Sequence, residues 1–559
     1  MDNYFVSSCK RVKDWIRRQF GQKEKKTVHH KKFADGGEVI VWETGRAGEE
    51  AASYENLFLR KEIAGFRTNI RREQSCSIKS LTRDYLYKQL LSSGEYTFDH
   101  MLVIKDPYGE APLTALALFI LEEPACVRVT TKGNLKETDF VTELPKKKEH
   151  RVPILGMYAE KANDIVIEIL DDEGNCVKSH TFTIRTKRLP KSLRNVITVK
   201  KWTDKPAYSN IMINGGVKIH TCVFDIEGEI RYYLSRKPRG YGIFPLSDGH
   251  FFYMEKYISV PSYSNPQTVE SYDMDYFGRV FRTYLTEKGV HHTAEEKAGG
   301  NILTGSNSML EHTEDCVIEI DRQTGEIVWQ LNMAEIFDET YQNMMDWCHV
   351  NSAAYYEKDR TILISLRNVH AVICVDYDTK KLRWILSDPK FWEGTKMTPY
   401  LLQPEGDVKW CYQQHAAFEI ALPDESNPQK KRIIVYDNHW AKRRKAKSFD
   451  KDPLSYVSFY DIDEEKKTVS LHKRFAGPKT RIRANGIYVP DKRRVYNMAG
   501  SYAEPVDGDG GGIFEYDYET GEVLSEFGVK PGFFRAYPFE PNVQELAEPM
   551  QVTGDYRSD

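Results

Sequence analysis

The sequence predicts an all-β chain: a six-bladed β-propeller preceded by a small β-sandwich domain and a partly helical N-terminal extension. Three observations carry that expectation. The first is a recurring turn: an acidic residue, a short polar stretch often holding Gly, then apolar strand formers. It appears as DIEGEIRYYL from Asp225, DYFGRVFRTYL from Asp275, DRQTGEIVWQL from Asp321, DYDTKKLRWIL from Asp376, DEEKKTVSL from Asp463 and DYETGEVLSEF from Asp517, spaced by 50, 46, 55, 87 and 54 residues. A multi-strand repeat of this length is the signature of a propeller, and six anchors suggest six blades. The 87-residue gap reads as one blade with an insertion of roughly 30–40 residues, given blades of ~40–50. The second observation is a series of short runs between residues 96 and 190 (YTFDHMLVI, ALALFIL, CVRVTT, HRVPILG, DIVIEIL and HTFTIRT), turn-punctuated as in a β-sandwich. The third is helical apolar spacing through Tyr54–Ile63 and Leu81–Leu91. The expected domains are an extension over 1–95, a sandwich over 96–190, a propeller over 196–535 and a tail over 536–559, with Leu189–Asn195 as a Pro-marked linker.

Composition narrows the function. A net charge of -3 argues against a general nucleic-acid binder. Nine scattered cysteines without a CxxC pair fit a reducing compartment better than a disulfide framework. The basic leader MDNYFVSSCKRVKDWIRRQFGQKEKK has no long apolar stretch, so neither a signal peptide nor a spanning helix is expected. A cytoplasmic location follows as an expectation. The absence of a P-loop, GxGxxG after a strand, GxSxG and HExxH removes most nucleotide enzymes, α/β hydrolases and zincins.

The chemistry concentrates around the stretch from Met345 to Leu386. A polar cluster (Asp346, His349, Asn351, Ser352) precedes a β-branched strand, and Arg367, Asn368 and His370 follow it. A sheet rim carrying His and Arg is a common way to build a site. His349 reads as a channel donor or as a histidine bonded between blades. Arg367 either joins an anion site or pairs with an acid. His415, in CYQQHAAFEI, has small neighbours that leave its ring accessible; the plainer reading is a core histidine. His291 and His292 open HHTAEEKAGGNIL and read as metal ligands, a strand-start loop or channel-facing donors. Around His439, the cations Lys442, Arg443, Arg444, Lys445 and Lys447 read mostly as a solvated loop, with one reaching an anionic ligand. Together with His349, Arg367 and His415 they would form a cationic pocket for sulfate, phosphate or carboxylate.

Several ordered runs resemble the bacterial, nucleotide-independent arylsulfate sulfotransferase family, over about residues 100–535. They are DPYGEAPLTALALF (Asp106–Phe119), RVPILGMY (Arg151–Tyr158), DIVIEILDDEGN, HHTAEEKAGGNIL, DWCHVNSAAYYEKDRTILISLRN, QQHAAFEI and VYDNHWAKRR. The resemblance implies a six-bladed propeller with its site at the central channel. It implies transfer of a sulfuryl group from an aryl sulfate to a phenol, in ping-pong steps through a sulfated histidine. His415 matches the nucleophile, His349 and Arg367 the holders of the sulfuryl oxygens, and His292 (or His291, one register away) the remaining site histidine. Asn351, Arg443 and Tyr502 are the other candidate substrate contacts. No cofactor and no metal are expected, and the partners are small aryl sulfates and phenols, with a homodimer allowed for. The second class of function considered is a non-catalytic anion-binding or protein-interaction propeller.

Three departures stand out. The family's His-His-Asp is His291-His292-Thr293 here, Asn368 follows Arg367 where the family often has His, and His439 replaces the glycine of Asp-Asn-Gly. They bear on the acceptor range and the proton path more than on the sulfuryl site. The chemistry suits the residues. A neutral imidazole is a competent nucleophile near pH 7, and cationic donors stabilise charge spread over peripheral oxygens.

Overall fold

The structure is a computed structural model. It describes residues 28–33, 37–51, 76–203, 205–216, 219–236, 241–258, 267–308, 312–342, 344–422, 427–440 and 452–550. The helical spacing at Tyr54–Ile63, Arg443 and the basic cluster around it lie outside the described residues.

The chain is all-β and propeller-like, and each sequence anchor is a turn closed by its own acid. The side chains of Asp225, Asp275, Asp321, Asp376, Asp463 and Asp517 all accept backbone N–H groups two to four residues on, at 2.8–3.1 Å. Each turn then places one residue in the left-handed region: Gly228, Gly278, Gly325, Lys380, Lys467 and Gly521, at φ between +53° and +80°. An Asx turn that ends left-handed favours Gly, which is why four of the six carry it.

The inner strands that lead up to these turns include continuous buried runs. Thr361–Leu366 is buried at every position and Ala371–Asp376 at all but the last. Such strands are covered on both faces, as stacked sheets require. Past Ile197 the strands form sheets of four, seven, four, five and five strands. The seven-stranded sheet runs through Val280–Glu296, whose first part pairs with Gln267–Asp275 and whose second part pairs with Ile302–Ser306. The chain ends close the arrangement. Ile197–Lys201 pairs with Val523–Val529, and Arg535–Pro538 pairs with Asn210–Asn214. The extra length between Asp376 and Asp463 lies partly in 387–414, a segment with two short 3-10 turns that leads into His415.

The N-terminal unit is a seven-stranded sheet in which Ala115–Thr131 pairs with both Phe140–Ile154 and Ala162–Leu170. Glu38–Trp42 joins it in parallel beside His100–Lys105, so strand residues ahead of 95 are part of this sheet. The helix Cys76–Ser92 presents Asp84 to three elements. Its carboxylate accepts from Tyr108 Oη at 2.8 Å, pairs with Arg151 Nη2 at 2.5 Å and receives the Met550 amide at 3.0 Å. One apolar cluster continues from Val103 and Ala117 of this sheet to Ile213 and Phe527 of the propeller-like part. Among the described residues no helix is long and apolar enough to cross a membrane.

Candidate active site: a closed circuit of strand starts

The site is built by one repeated backbone device. At the starts of successive strands the chain passes through the left-handed region: Gly242, His292, His349, Ala416, Arg483 and Ala484 have φ of +81°, +59°, +57°, +51°, +70° and +102°. Pairing registers shift between His291 and Ala294, Val350 and Ser352, and His415 and Phe418. A bulge with a left-handed residue re-aims the side chain at the rim of a sheet. The re-aimed groups meet. Ring centroids of Phe534 and Tyr241 are 5.3 Å apart, Tyr241 and His292 4.4 Å, His292 and His349 4.7 Å, and His349 and His415 6.5 Å. The Arg483 amide reaches His415 Nε2 at 3.3 Å, and the Ala484 amide donates to the Phe534 carbonyl at 3.2 Å, closing the circuit.

Hydrogen bonds fix which imidazole nitrogen carries a proton. Asn438 Nδ2 donates to Thr480 Oγ1 and to the Arg483 carbonyl at 2.8 and 3.2 Å, so its Oδ1 must accept from His415 Nδ1, 2.6 Å away. Nε2 of His415 then holds a lone pair, covered only by the long bond from the Arg483 amide. Burial, Arg367 and His349 together hold His415 well below the usual histidine pKa, so the ring is neutral. In the neighbouring pair, His291 Nε2 donates to the Ser306 carbonyl at 2.8 Å, and its Nδ1 accepts from His292 Nδ1 at 3.1 Å. His292 is neutral too: burial, then His349 and His291, press its pKa far down.

His349 is the exception. Its Nδ1 hydrogen-bonds Asp346 Oδ2 at 2.9 Å and lies 2.6 Å from Glu314 Oε2. Burial opposes its charge, but the two carboxylates outweigh burial and lift its pKa to about 9. The circuit thus holds one imidazolium between neutral imidazoles, with pKa values pushed apart as acid–base sites require. Tyr241 Oη completes the Glu314 environment, donating to Oε1 at 3.3 Å.

Cations surround this row. Arg367 is buried; its guanidinium donates to Asn368 Oδ1 at 3.0 Å and Gln413 Oε1 at 2.9 Å, and its amide bonds the His349 carbonyl at 3.1 Å. Arg535 Nη2 donates to the Asn351 carbonyl at 2.7 Å. Among the described residues two overlapping sets, His291–His292–Glu314 and Glu314–Asp346–His349, have ligand atoms within 4.8 Å of one another and could hold a cation. Protonated His349 already supplies a positive charge beside Glu314 and Asp346.

The match to known proteins agrees with this geometry. A family model described as arylsulfotransferase (ASST) fits residues 195–535, and one described as an arylsulfotransferase Ig-like domain fits 102–187. The chain belongs to the arylsulfotransferase family. It is 22% identical to the arylsulfate sulfotransferase AssT of Lelliottia amnigena and 23% identical to that of Escherichia coli O6:H1, in each case over 76% of this chain and 90% of the relative. A solved protein of unknown function from Bacteroides caccae is 12% identical with a TM-score of 0.38, covering 59% of this chain and 98% of that one.

Of the residues expected for an arylsulfotransferase site, the structure brings His292, His349, Arg367 and His415 together. His291 backs His292 from a fully buried position, the left-handed bulge at His292 bringing the two imidazoles within 3.1 Å of each other. Asn351 is buried behind the row, its Nδ2 donating to the Gln414 carbonyl at 2.8 Å. Tyr502 sits in the apolar cluster of Tyr436, Val457 and Phe514 instead. His439 is held by Asp437 at 2.8 Å. Glu314, Asn438 and Arg483 were not singled out by sequence reasoning. The one available signal was position: Glu314 and Arg483 lie just before a strand start, and Asn438 just past the strand end that pairs with His415.

Proposed function

We propose that the chain transfers a sulfuryl group from an aryl sulfate to a phenol in two displacements, with His415 Nε2 as the relay. In the first, the Nε2 lone pair forms a bond to sulfur as the sulfur–aryl oxygen bond breaks, and the departing oxygen takes the proton of the His349 imidazolium. In the second, the acceptor oxygen attacks sulfur, its proton passes to the now neutral His349, and the nitrogen–sulfur bond breaks. Atoms and charge balance: aryl sulfate and phenol exchange one sulfuryl group. Arg367 and Arg535 offset the charge on the peripheral oxygens, by analogy with phosphoryl transfer, and neutral His292 accepts a hydrogen bond from the incoming phenol.

The observation that carries this reading is the tautomer of His415. Asn438 takes Nδ1–H, so the lone pair lies on Nε2, where the Arg483 amide reaches it at 3.3 Å. Family membership and the two named relatives support the substrate class. We further infer six blades, with the seven-stranded sheet counted as two blades that share Val280–Glu296; the six Asx turns support that count.

The test needs no nucleotide. Purified protein is mixed with a chromogenic aryl sulfate, with and without a phenol, and followed by phenol release and intact mass. Acceptor-dependent release with one sulfuryl group on the His415 peptide is expected. An adduct elsewhere, or no release across several aryl sulfates, overturns the assignment.

A further inference from the structure

Arg483 is the one member of the circuit whose charge the transfer scheme leaves unused. Its amide touches His415 Nε2 and its carbonyl receives Asn438, so its backbone is anchored at the reacting nitrogen. The one titratable group acting on its charge, among the described residues, is Tyr241, whose ring packs on His292. Nη1 is buried and has no hydrogen-bond partner among the described residues. Four buried arginines away from the row are matched by an acid: Arg151 by Asp84 at 2.5 Å, Arg231 by Asp225 at 2.9 Å, Arg279 by Asp275 at 2.5 Å and Arg322 by Asp273 at 2.8 Å. Arg367 and Arg535, which flank the row, are held instead by side-chain amides and a backbone carbonyl. A buried guanidinium nitrogen without a hydrogen-bond partner is costly, and a binding site is where such a cost is recovered.

Two positions in a row along the strained segment, Arg483 and Ala484, are left-handed. That conformation disfavours any residue with a side chain, yet it accompanies the bond of the Arg483 amide to His415 Nε2. The sulfuryl end is already served by Arg367, whose charge acts directly on His415. Nη1 of Arg483, unpartnered among the described residues beside the row, is left for a second anionic group on the bound ring.

Building on the transfer reading, we infer that Arg483 receives an anionic substituent, a carboxylate in the first instance, on the aromatic ring of the donor or acceptor. The preferred substrates are then sulfated and free phenols bearing a ring carboxylate, paired with the guanidinium fork in a desolvated pocket. Arg483 is a specificity-determining contact in this scheme, not part of the sulfuryl transfer.

The test compares 4-carboxyphenyl sulfate with 4-nitrophenyl sulfate as donors, and 4-hydroxybenzoate with phenol as ligands in calorimetry. Loss of a charge-assisted bond should lower kcat/KM for the carboxylated donor, relative to the nitro donor, by about 10- to 100-fold in Arg483→Gln. Arg483→Lys should retain part of the preference, and Arg483→Glu should invert it toward a phenyl sulfate bearing an ammonium group. Each ratio is measured within one variant, so a general loss of activity or of folded protein cancels. Equal loss on both donors, or no preference in the unsubstituted protein, overturns the inference. The binding arm separates the two readings. Arg483-dependent affinity for 4-hydroxybenzoate without any turnover would sink the transfer scheme and leave the carboxylate site standing.

Discussion

Nδ1 of His349 lies 2.6 Å from Oε2 of Glu314, and Oε1 of the same carboxylate accepts from Tyr241 while standing 3.8 Å from His292 Nδ1. Glu314 therefore touches three members of the circuit. Asp346 supplies the directional hydrogen bond to His349, and Glu314 adds the second negative charge that keeps the ring protonated. In Glu314→Gln one of the two charges is gone while the side chain keeps its shape. Transfer activity should fall on the alkaline side with a midpoint near 9 in the unsubstituted protein, since the charged acid disappears there. In the variant that limb should move at least one pH unit toward neutrality. A pH profile of kcat/KM reads the shift, and an unmoved limb would remove His349 as the acid.

The same pair makes stability depend on pH. The folded-state pKa of His349 is raised above its unfolded value of ~6.5. Its contribution is thus fully present below that value and is lost as pH rises through about 9. The melting temperature should fall between pH 7 and 9.5 in the unsubstituted protein, and the fall should be smaller in His349→Asn. Equal slopes in the two proteins would mean that other groups set the alkaline loss.

In the proposed transfer Asn438 sets the tautomer of His415 without touching substrate. In Asn438→Leu nothing holds Nδ1–H, the His415 ring is free to turn, and the Thr480 hydroxyl and Arg483 carbonyl lose their donor. Loss of such an orienting partner costs roughly 10- to 100-fold in activity. The expected result is that drop in kcat, with the sulfuryl adduct still on His415 but formed more slowly in single turnover. An undiminished rate of adduct formation would show that the tautomer is set by something else.

How far the sequence could be read follows from how each residue reaches its place. The turns at Asp225 to Asp517 were legible because acid, acceptor geometry and left-handed residue lie within five positions of one another. His349 and His415 were legible because their neighbours form distinctive short runs. Glu314 was not, since its role arises only when the strand Val350–Tyr356 bonds its carbonyl through the Val350 amide at 2.7 Å. Phe534 becomes a member of the circuit beside the closing pair of strands, and Arg483 through its amide on His415, contacts between distant segments that no local pattern announces. Tyr502 was misread for the complementary reason. Its segment, NMAGSYAEP, has the polar small-residue look of a rim, but Tyr502 bonds Gly510 across the hairpin and its hydroxyl packs over Gly512, inside the core. The missing Asp at Thr293 also finds its explanation, because the Ser306 carbonyl and Glu314 orient the paired imidazoles from elsewhere.

The Ser306 strand also sets how much room His291 has. A Cβ at Gly305 would lie 2.6 Å from His291 Cε1 and 2.8 Å from its Nδ1, closer than carbon atoms approach. Gly305→Ala should therefore push the ring, break its bond to His292 and unseat the row from behind. A loss of activity of about tenfold or more is expected, with the melting temperature falling by only a few degrees, since one displaced side chain costs roughly 1–3 kcal/mol. Full activity in a folded Gly305→Ala protein would make the His291–His292 bond dispensable.

The last prediction concerns what holds the N-terminal unit to the ring. Asp84 lies on the helix Cys76–Ser92 and pairs with Arg151 of the Ig-like sheet at 2.5 Å, both side chains being 6% exposed. Arg279, at the head of the long strand that carries His292, is 3.7 Å from the same carboxylate and donates to carbonyls of the C-terminal segment. Removing one partner of a buried pair leaves the other charge without compensation, at a cost of roughly 3–5 kcal/mol. Arg279 keeps Asp275, so the burden in Asp84→Ala falls on Arg151. Thermal unfolding of Asp84→Ala should begin well below that of the unsubstituted protein. Because His349 and His415 lie on strands that Asp84 does not touch, kcat at low temperature should change far less than stability. The double variant Asp84→Ala, Arg151→Met should recover much of the loss, since it removes the orphaned charge as well. If the double variant is no more stable than the single one, the pair is not what fastens the helix, and the apolar contacts of Leu86 and Leu91 are the main anchor.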